Sequence, residues 1–280
     1  MSTPESPQFD LIPPESTPPE NQVPLAPAAP RSDENPVWGG WEILGIMLVT
    51  IASVFFFVIL VTIGARRYIY PHEQLMEVAQ GHPVLLLIAQ GLAYLVVIAF
   101  MVLLVKRVRD LSFAGAIRWN WPMNPWAFLL GGVGLSVALQ ILGHFLPIPK
   151  ELPMDRFFKT PIEAWGVAIF GILLAPLMEE LFFRGFLYPV LARWLGVSVS
   201  VVLTGIGFGL LHASQLGRAW APVFMIFLVG VVLTTVRAVT KSVASSWLVH
   251  FAYNGTIFTL MFIATSGFRH MEKLNAFFAI

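Results

Sequence analysis

Seven stretches of this chain contain no Asp, Glu, Lys or Arg: Ile43–Ala65, Val84–Val105, Trp126–Pro149, Ala164–Met178, Trp194–Gly217, Ala219–Val236 and Ser242–Phe268. A helix needs about 20 apolar residues to cross the roughly 30 Å hydrocarbon core of a bilayer, and most of these runs meet that length. Over all 280 residues the chain is 57% hydrophobic and 12% charged, with a mean hydropathy of +0.76. Soluble domains sit near 45–50% apolar, so a water-soluble globule is excluded. The expected fold class is all-α: a polytopic transmembrane helix bundle of seven to eight spans, preceded by a disordered Pro-rich tail. The eighth depends on the fourth run, which is short and leads into EELFFRGFLYPVLARWLG. That stretch reads either as a continuing helix or as a second, partly embedded one.

Ten of the 21 prolines fall in residues 1–36, together with six acids and one Arg. Such a composition cannot bury enough apolar surface to offset chain entropy, so 1–36 is expected to be a disordered acidic tail. It lacks the basic and apolar regions of a secretory signal peptide. Residues 37–280 then form the membrane domain, with 37–160 holding the first three helices and 161–270 the site-bearing core. Trp38, Trp41, Trp119, Trp121, Trp126 and Trp220 lie at or near run ends, where indole rings anchor in the headgroup region. Lys and Arg in alternate loops tie in number, and the dense cluster at 106–118 decides for a cytoplasmic amino-terminal tail. The chain is therefore read as a multi-pass protein of the cell membrane, in contact with membrane lipid. There is no Cys, hence no thiolate metal site or cysteine nucleophile, and a net charge of +1 gives no basic surface for nucleic acid.

Against this background an acid pair, two His and an Asn at membrane depth need explaining, because an ionisable group costs roughly 2.5–3.5 kcal/mol or more at a helix centre. They fall in three groups: Glu179-Glu180-Leu-Phe-Phe-Arg184, Phe208-Gly-Leu-Leu-His212 and His250-Phe-Ala-Tyr-Asn254. On a helix Glu180 and Arg184 are four apart and pair, whereas Glu179 points about 100° away and is free to face something else. Pro176, three residues before Glu179, removes a helical hydrogen bond and can kink the segment. The four-residue spacings put Phe208 with His212 on one helical face and His250 with Asn254 on another. If these helices converge they supply a water-activating carboxylate, an imidazole proton relay and donors for an oxyanion, the parts of amide hydrolysis. Read blandly, the same residues are a charged helix end, a packing His and an interhelical Asn.

In this order EELFFR fits an EExxxR motif, FGLLH an FxxxH motif and HFAYN an HxxxN motif. The chain thereby resembles the CAAX prenyl protease and bacteriocin-processing (CPBP, or Abi) family of intramembrane proteases, over about residues 160–265. The resemblance implies a bundle of about eight helices around a water-filled cavity. It also implies roles: Glu179 as general base with His212 beside it, His250 and Asn254 as oxyanion stabilisers, Glu180 and Arg184 as a structural pair supported by Phe208. The implied substrate is a peptide or lipid-modified protein at the membrane.

No cofactor is expected. Zinc, were it used, would sit on Glu179, His212 and His250, which could make a three-ligand site with an open position. HExxH is absent; His72–Met76 comes nearest and lacks the second His. Two other function classes stay open: a proton-coupled transporter or binding protein, and an inactive scaffold or immunity factor. Gly205, Gly207 and Gly209, like Gly131, Gly132 and Gly134, are read as close helix packing rather than phosphate loops.

Overall fold

The computed structural model describes residues 34–108, 112–149 and 152–270; the tail expectation falls almost wholly on residues outside these. The helices are α1 (Gly40–Tyr68), α2 (Leu75–Gly81), α3 (Pro83–Val108), α4 (Phe113–Ala116), α5 (Pro125–His144), α6 (Pro161–Leu195), α7 (Val197–His212), α8 (Trp220–Thr240) and α9 (Val243–Ala264). No strand occurs among the described residues. Six of these helices, α1, α3, α5, α6, α8 and α9, are long and apolar enough to cross a membrane, while α7 has 16 residues. The protein is a helical membrane bundle and an integral multi-pass membrane protein. Each uncharged run forms one helix, and residues 181–195 continue the fourth instead of forming an eighth segment.

Local chemistry explains where the site-bearing helices begin. At α6, Thr160 accepts from the Glu163 N–H and Glu163 reaches back to the Thr160 N–H at 2.9 Å, a capping box with Pro161 at the first helical position. At α9, Ser242 caps the Ser245 N–H, and its hydroxyl donates to the Asn120 carbonyl, tying the turn to the segment before α5. Helix α1 packs along α3, α5 along α9 and α7 along α8, with α6 touching α3, α7, α8 and α9. Small residues permit the closest approaches. A Cβ on Gly132 would collide with the Val249 carbonyl, and one on Gly230 would lie 2.9 Å from the Gly205 Cα. Gly131 and Gly134 have nothing within 4 Å and carry no such contact.

Two features depart from the sequence reading. Glu34, assigned to the tail, is buried and ion-paired with Arg237 at 2.8 Å and Arg118 at 3.1 Å, so packed structure begins at least three residues before Val37. Trp38, read as an interfacial anchor, is 2% exposed; its indole N–H donates to the Phe186 carbonyl at 3.0 Å and its ring lies against Phe186. Arg193 holds this strap in place by donating to the Pro36 and Trp38 carbonyls. Trp41, Trp121, Trp126 and Trp220 are exposed, as membrane anchors should be.

Candidate active site

Helix α6 carries two internal prolines, Pro176 and Pro189, and the chain accommodates each in the same way. A proline has no N–H, and its ring clashes with the carbonyl one turn back. Immediately before each, the helix widens into a π turn: Phe170–Leu174 ends with Ala175 N–H bonded to the Phe170 carbonyl, and Leu181–Leu187 ends with Tyr188 N–H bonded to the Phe183 carbonyl. Glu179 and Glu180 lie on the α-helical segment Ala175–Glu180 between the two. π Turns inside regular helices are frequent at functional positions, and here they frame the acid pair.

Glu180 and Arg184 form the expected i,i+4 pair at 2.9 Å, both side chains 0% exposed. Burial at this depth is tolerable only with every polar atom satisfied. Arg184 also donates to the Thr234 hydroxyl at 3.2 Å and to the Gly230 carbonyl at 2.9 Å, and its guanidinium lies 4.7 Å from the centre of the Phe208 ring. Glu180 accepts from His250 Nδ1 at 3.0 Å, and the Ser246 hydroxyl lies 2.6 Å from its other oxygen. The pair therefore joins α6 to α8 and α9. Thr234 and Ser246 were missed in the sequence, because hydroxyl residues inside helices usually bond their own backbone and give no distinguishing signal.

Glu179 points the other way and remains 16% exposed, against 0% for Glu180, so of the two only Glu179 is reachable by a reacting water. Its Oε1 lies 3.7 Å from His212 Nε2 and its Oε2 3.6 Å from His250 Nε2. These separations exceed a direct hydrogen bond and match polar groups that share a third partner. The far nitrogens fix both tautomers. His212 Nδ1 lies 2.8 Å from the Phe208 carbonyl, which can only accept, and His250 Nδ1 faces the Glu180 carboxylate. In its neutral form each ring carries its proton on Nδ1 and turns the Nε2 lone pair toward Glu179. The Phe208 ring lies edge-on to His250 with centroids 5.7 Å apart, which places it among the three groups.

Asn254 is held differently. Its Nδ2 donates to the Gly171 carbonyl at 2.7 Å. That carbonyl would receive an N–H from residue 176 in a continuing π turn, and residue 176 is proline. Asn254 thus satisfies a backbone acceptor that Pro176 leaves without a partner, a requirement inside a bilayer. One amide N–H of Asn254 remains for other use.

Glu179 with the Nε2 atoms of His212 and His250 is of the donor type zinc accepts, and the anchored Nδ1 atoms resemble the outer shell of zinc sites. Among the described residues, however, no three His, Cys, Asp or Glu side chains are grouped closely enough to hold a metal ion, and no chemical step is assigned to one.

Fold and site together define a multi-pass helical membrane protein with a carboxylate–imidazole cluster assembled from α6, α7 and α9. The family model described as type II CAAX prenyl endopeptidase Rce1-like matches residues 161–256, the span that holds all three motifs. The resemblance drawn from EELFFR, FGLLH and HFAYN is borne out, and over this span the chain is similar to CAAX-protease-like membrane proteins. It is also similar to the UPF0177 protein YbdI of Lactococcus lactis subsp. lactis (strain IL1403), at 27% identity over 128 residues, covering 45% of this chain and 66% of that relative. No solved structure matches significantly.

Proposed function

We propose that this protein is an intramembrane endopeptidase in which Glu179 activates water against a peptide bond of a membrane-associated or lipid-modified substrate. The reading rests on one observation above the others: a partly exposed carboxylate faces two imidazole Nε2 lone pairs whose rings are locked from behind. A water lying among these three acceptors gives its hydrogens to two of them and turns a lone pair outward. Glu179 takes the proton as the water oxygen attacks the carbonyl carbon, and His212, as exposed as Glu179, shares it. The proton passes to the amide nitrogen as the C–N bond breaks. Glu180, Arg184 and Phe208 hold His250 in place and do not react. The free N–H of Asn254 donates to the oxyanion.

An apolar groove of about 440 Å³ supports the substrate class. Its lining includes Val133 of α5, Ile172 of the first π turn and Ala252 and Gly255 of α9, so it adjoins Gly171 and Asn254 in sequence and suits an aliphatic chain better than a charged solute. The decisive experiment compares protein termini in membranes of cells making wild type or Glu179→Gln at matched abundance. Termini that appear only with wild type support the reading and identify the substrate. Equal terminomes with both proteins folded refute it and favour a transport, binding or scaffold role.

A further inference from the structure

A buried carboxylate is satisfied only by donors the protein itself supplies, and the donors of Glu180 are unevenly shared. Glu180 is 0% exposed; its Oε1 accepts from Arg184 at 2.9 Å and from His250 Nδ1 at 3.0 Å, whereas among the described residues its Oε2 has one donor, the Ser246 hydroxyl at 2.6 Å. Two donors on a single oxygen leave the last torsion of a Glu side chain free to turn, because that sp³–sp² torsion has broad wells. A donor on the second oxygen stops it.

Ser246 stands one turn before His250 on α9, and His250 one turn before Asn254, so hydroxyl, imidazole and amide form one row along a single helix face. The carboxylate from α6 is therefore gripped by two successive members of that row, one on each oxygen. Ser246 is itself 0% exposed, and its Oγ also lies 2.9 Å from the Leu233 carbonyl of α8. A hydroxyl has one hydrogen, and the nearer, charged acceptor holds it. His250 has Nδ1 on Glu180 and Nε2 3.6 Å from Glu179 Oε2, so a turn of the Glu180 carboxylate swings the far nitrogen past Glu179. Ser246 falls four positions before the first residue of HFAYN and belongs to none of the three motifs.

We propose that Ser246 is a positioning residue of the hydrolytic site: by holding Glu180 Oε2 it fixes the plane of that carboxylate, and through the carboxylate the direction in which His250 presents Nε2 beside Glu179. The assignment rests on the endopeptidase reading above. Ser246 touches no reacting atom and exchanges no proton. Without its hydroxyl, Oε2 has no donor at 0% exposure, and the carboxylate turns until Arg184 or His250 serves that oxygen instead. His250 tilts with it, and small displacements of a reacting geometry lower the rate steeply.

The test uses the full chain in detergent or nanodiscs and a quenched fluorescent peptide spanning the cleavage site defined by wild-type-dependent termini, with kcat expressed per folded molecule. Ser246→Ala is expected to lower kcat roughly 10–100-fold with KM unchanged. Ser246→Thr keeps the hydroxyl and should restore most of the lost rate. Ser246→Cys keeps the volume with a weaker donor; it should fall between the two, and it stands in for whichever of them does not fold. A lower melting temperature with wild-type kcat per folded molecule assigns Ser246 to packing and overturns the proposal, as does a raised KM with kcat kept. Rates equally low in the Ala and Thr variants overturn it as well, since the hydroxyl is then not what counts. Wild-type kcat in Ser246→Ala while Glu179→Gln is inactive overturns this assignment alone. If wild type and Glu179→Gln do not differ, the endopeptidase reading falls and takes the assignment with it.

Discussion

Asn254 and Pro176 lie 78 positions apart on different helices, and the structure makes them energetically coupled through the Gly171 carbonyl, which accepts from Asn254 Nδ2 at 2.7 Å. Truncating Asn254 to Ala removes the only side-chain donor the described residues give that carbonyl. An unsatisfied buried acceptor costs about 1–3 kcal/mol, whereas interhelical hydrogen bonds in bilayers average only about 0.6. The low average arises because separated helices find other partners in the membrane. Gly171 cannot, since Pro176 removes the intrahelical donor in the separated helix as well. A cost of about 1.5–2 kcal/mol is therefore expected for Asn254→Ala. Pro176→Ala restores an N–H, so the helix itself can satisfy Gly171, and in that background Asn254→Ala should cost only about 0.5 kcal/mol of lost packing. The cycle is measured by SDS-induced unfolding of the purified protein in mixed micelles, followed by far-ultraviolet circular dichroism. A coupling of about 1 kcal/mol or more is expected. Additivity of the two substitutions within about 0.3 kcal/mol would refute the argument that Asn254 answers a proline-made orphan.

Two further outcomes follow from the buried ion pairs. Glu180→Ala leaves Arg184 charged at 0% exposure and frees His250 Nδ1, at a cost of about 3–5 kcal/mol; gel filtration should show an aggregated or scarcely recoverable protein, and a wild-type melting temperature would contradict the network. Glu34→Ala removes the carboxylate facing Arg237, 1% exposed, while Arg118 at 28% can turn to water. Its cost should be nearer 3 kcal/mol, seen as a lower melting temperature with activity per folded molecule retained. Loss of activity without loss of stability would place Glu34 in the chemistry instead.

The sequence by itself determined what depends on length and on neighbours along one helix. Charge exclusion over a bilayer's thickness defined the seven apolar helices, because a polar group pays its desolvation cost whatever the fold. The Glu180–Arg184 pair and the opposite facing of Glu179 followed from 3.6-residue periodicity, and His212 and His250 were legible as misplaced polar groups. Periodicity says which side chains share a face but not which helix lies opposite. Only the tertiary structure therefore decided that Glu180 holds His250 from α9 and that Asn254 reaches back to Gly171. It likewise decided that Glu34 crosses 203 positions to Arg237 and that Trp38 is core rather than anchor. The continuity of α6 past residue 180 belongs here as well. Pro176 reads locally as a kink, and the helix runs on because a π turn precedes each of Pro176 and Pro189 and Asn254 of α9 satisfies the Gly171 carbonyl.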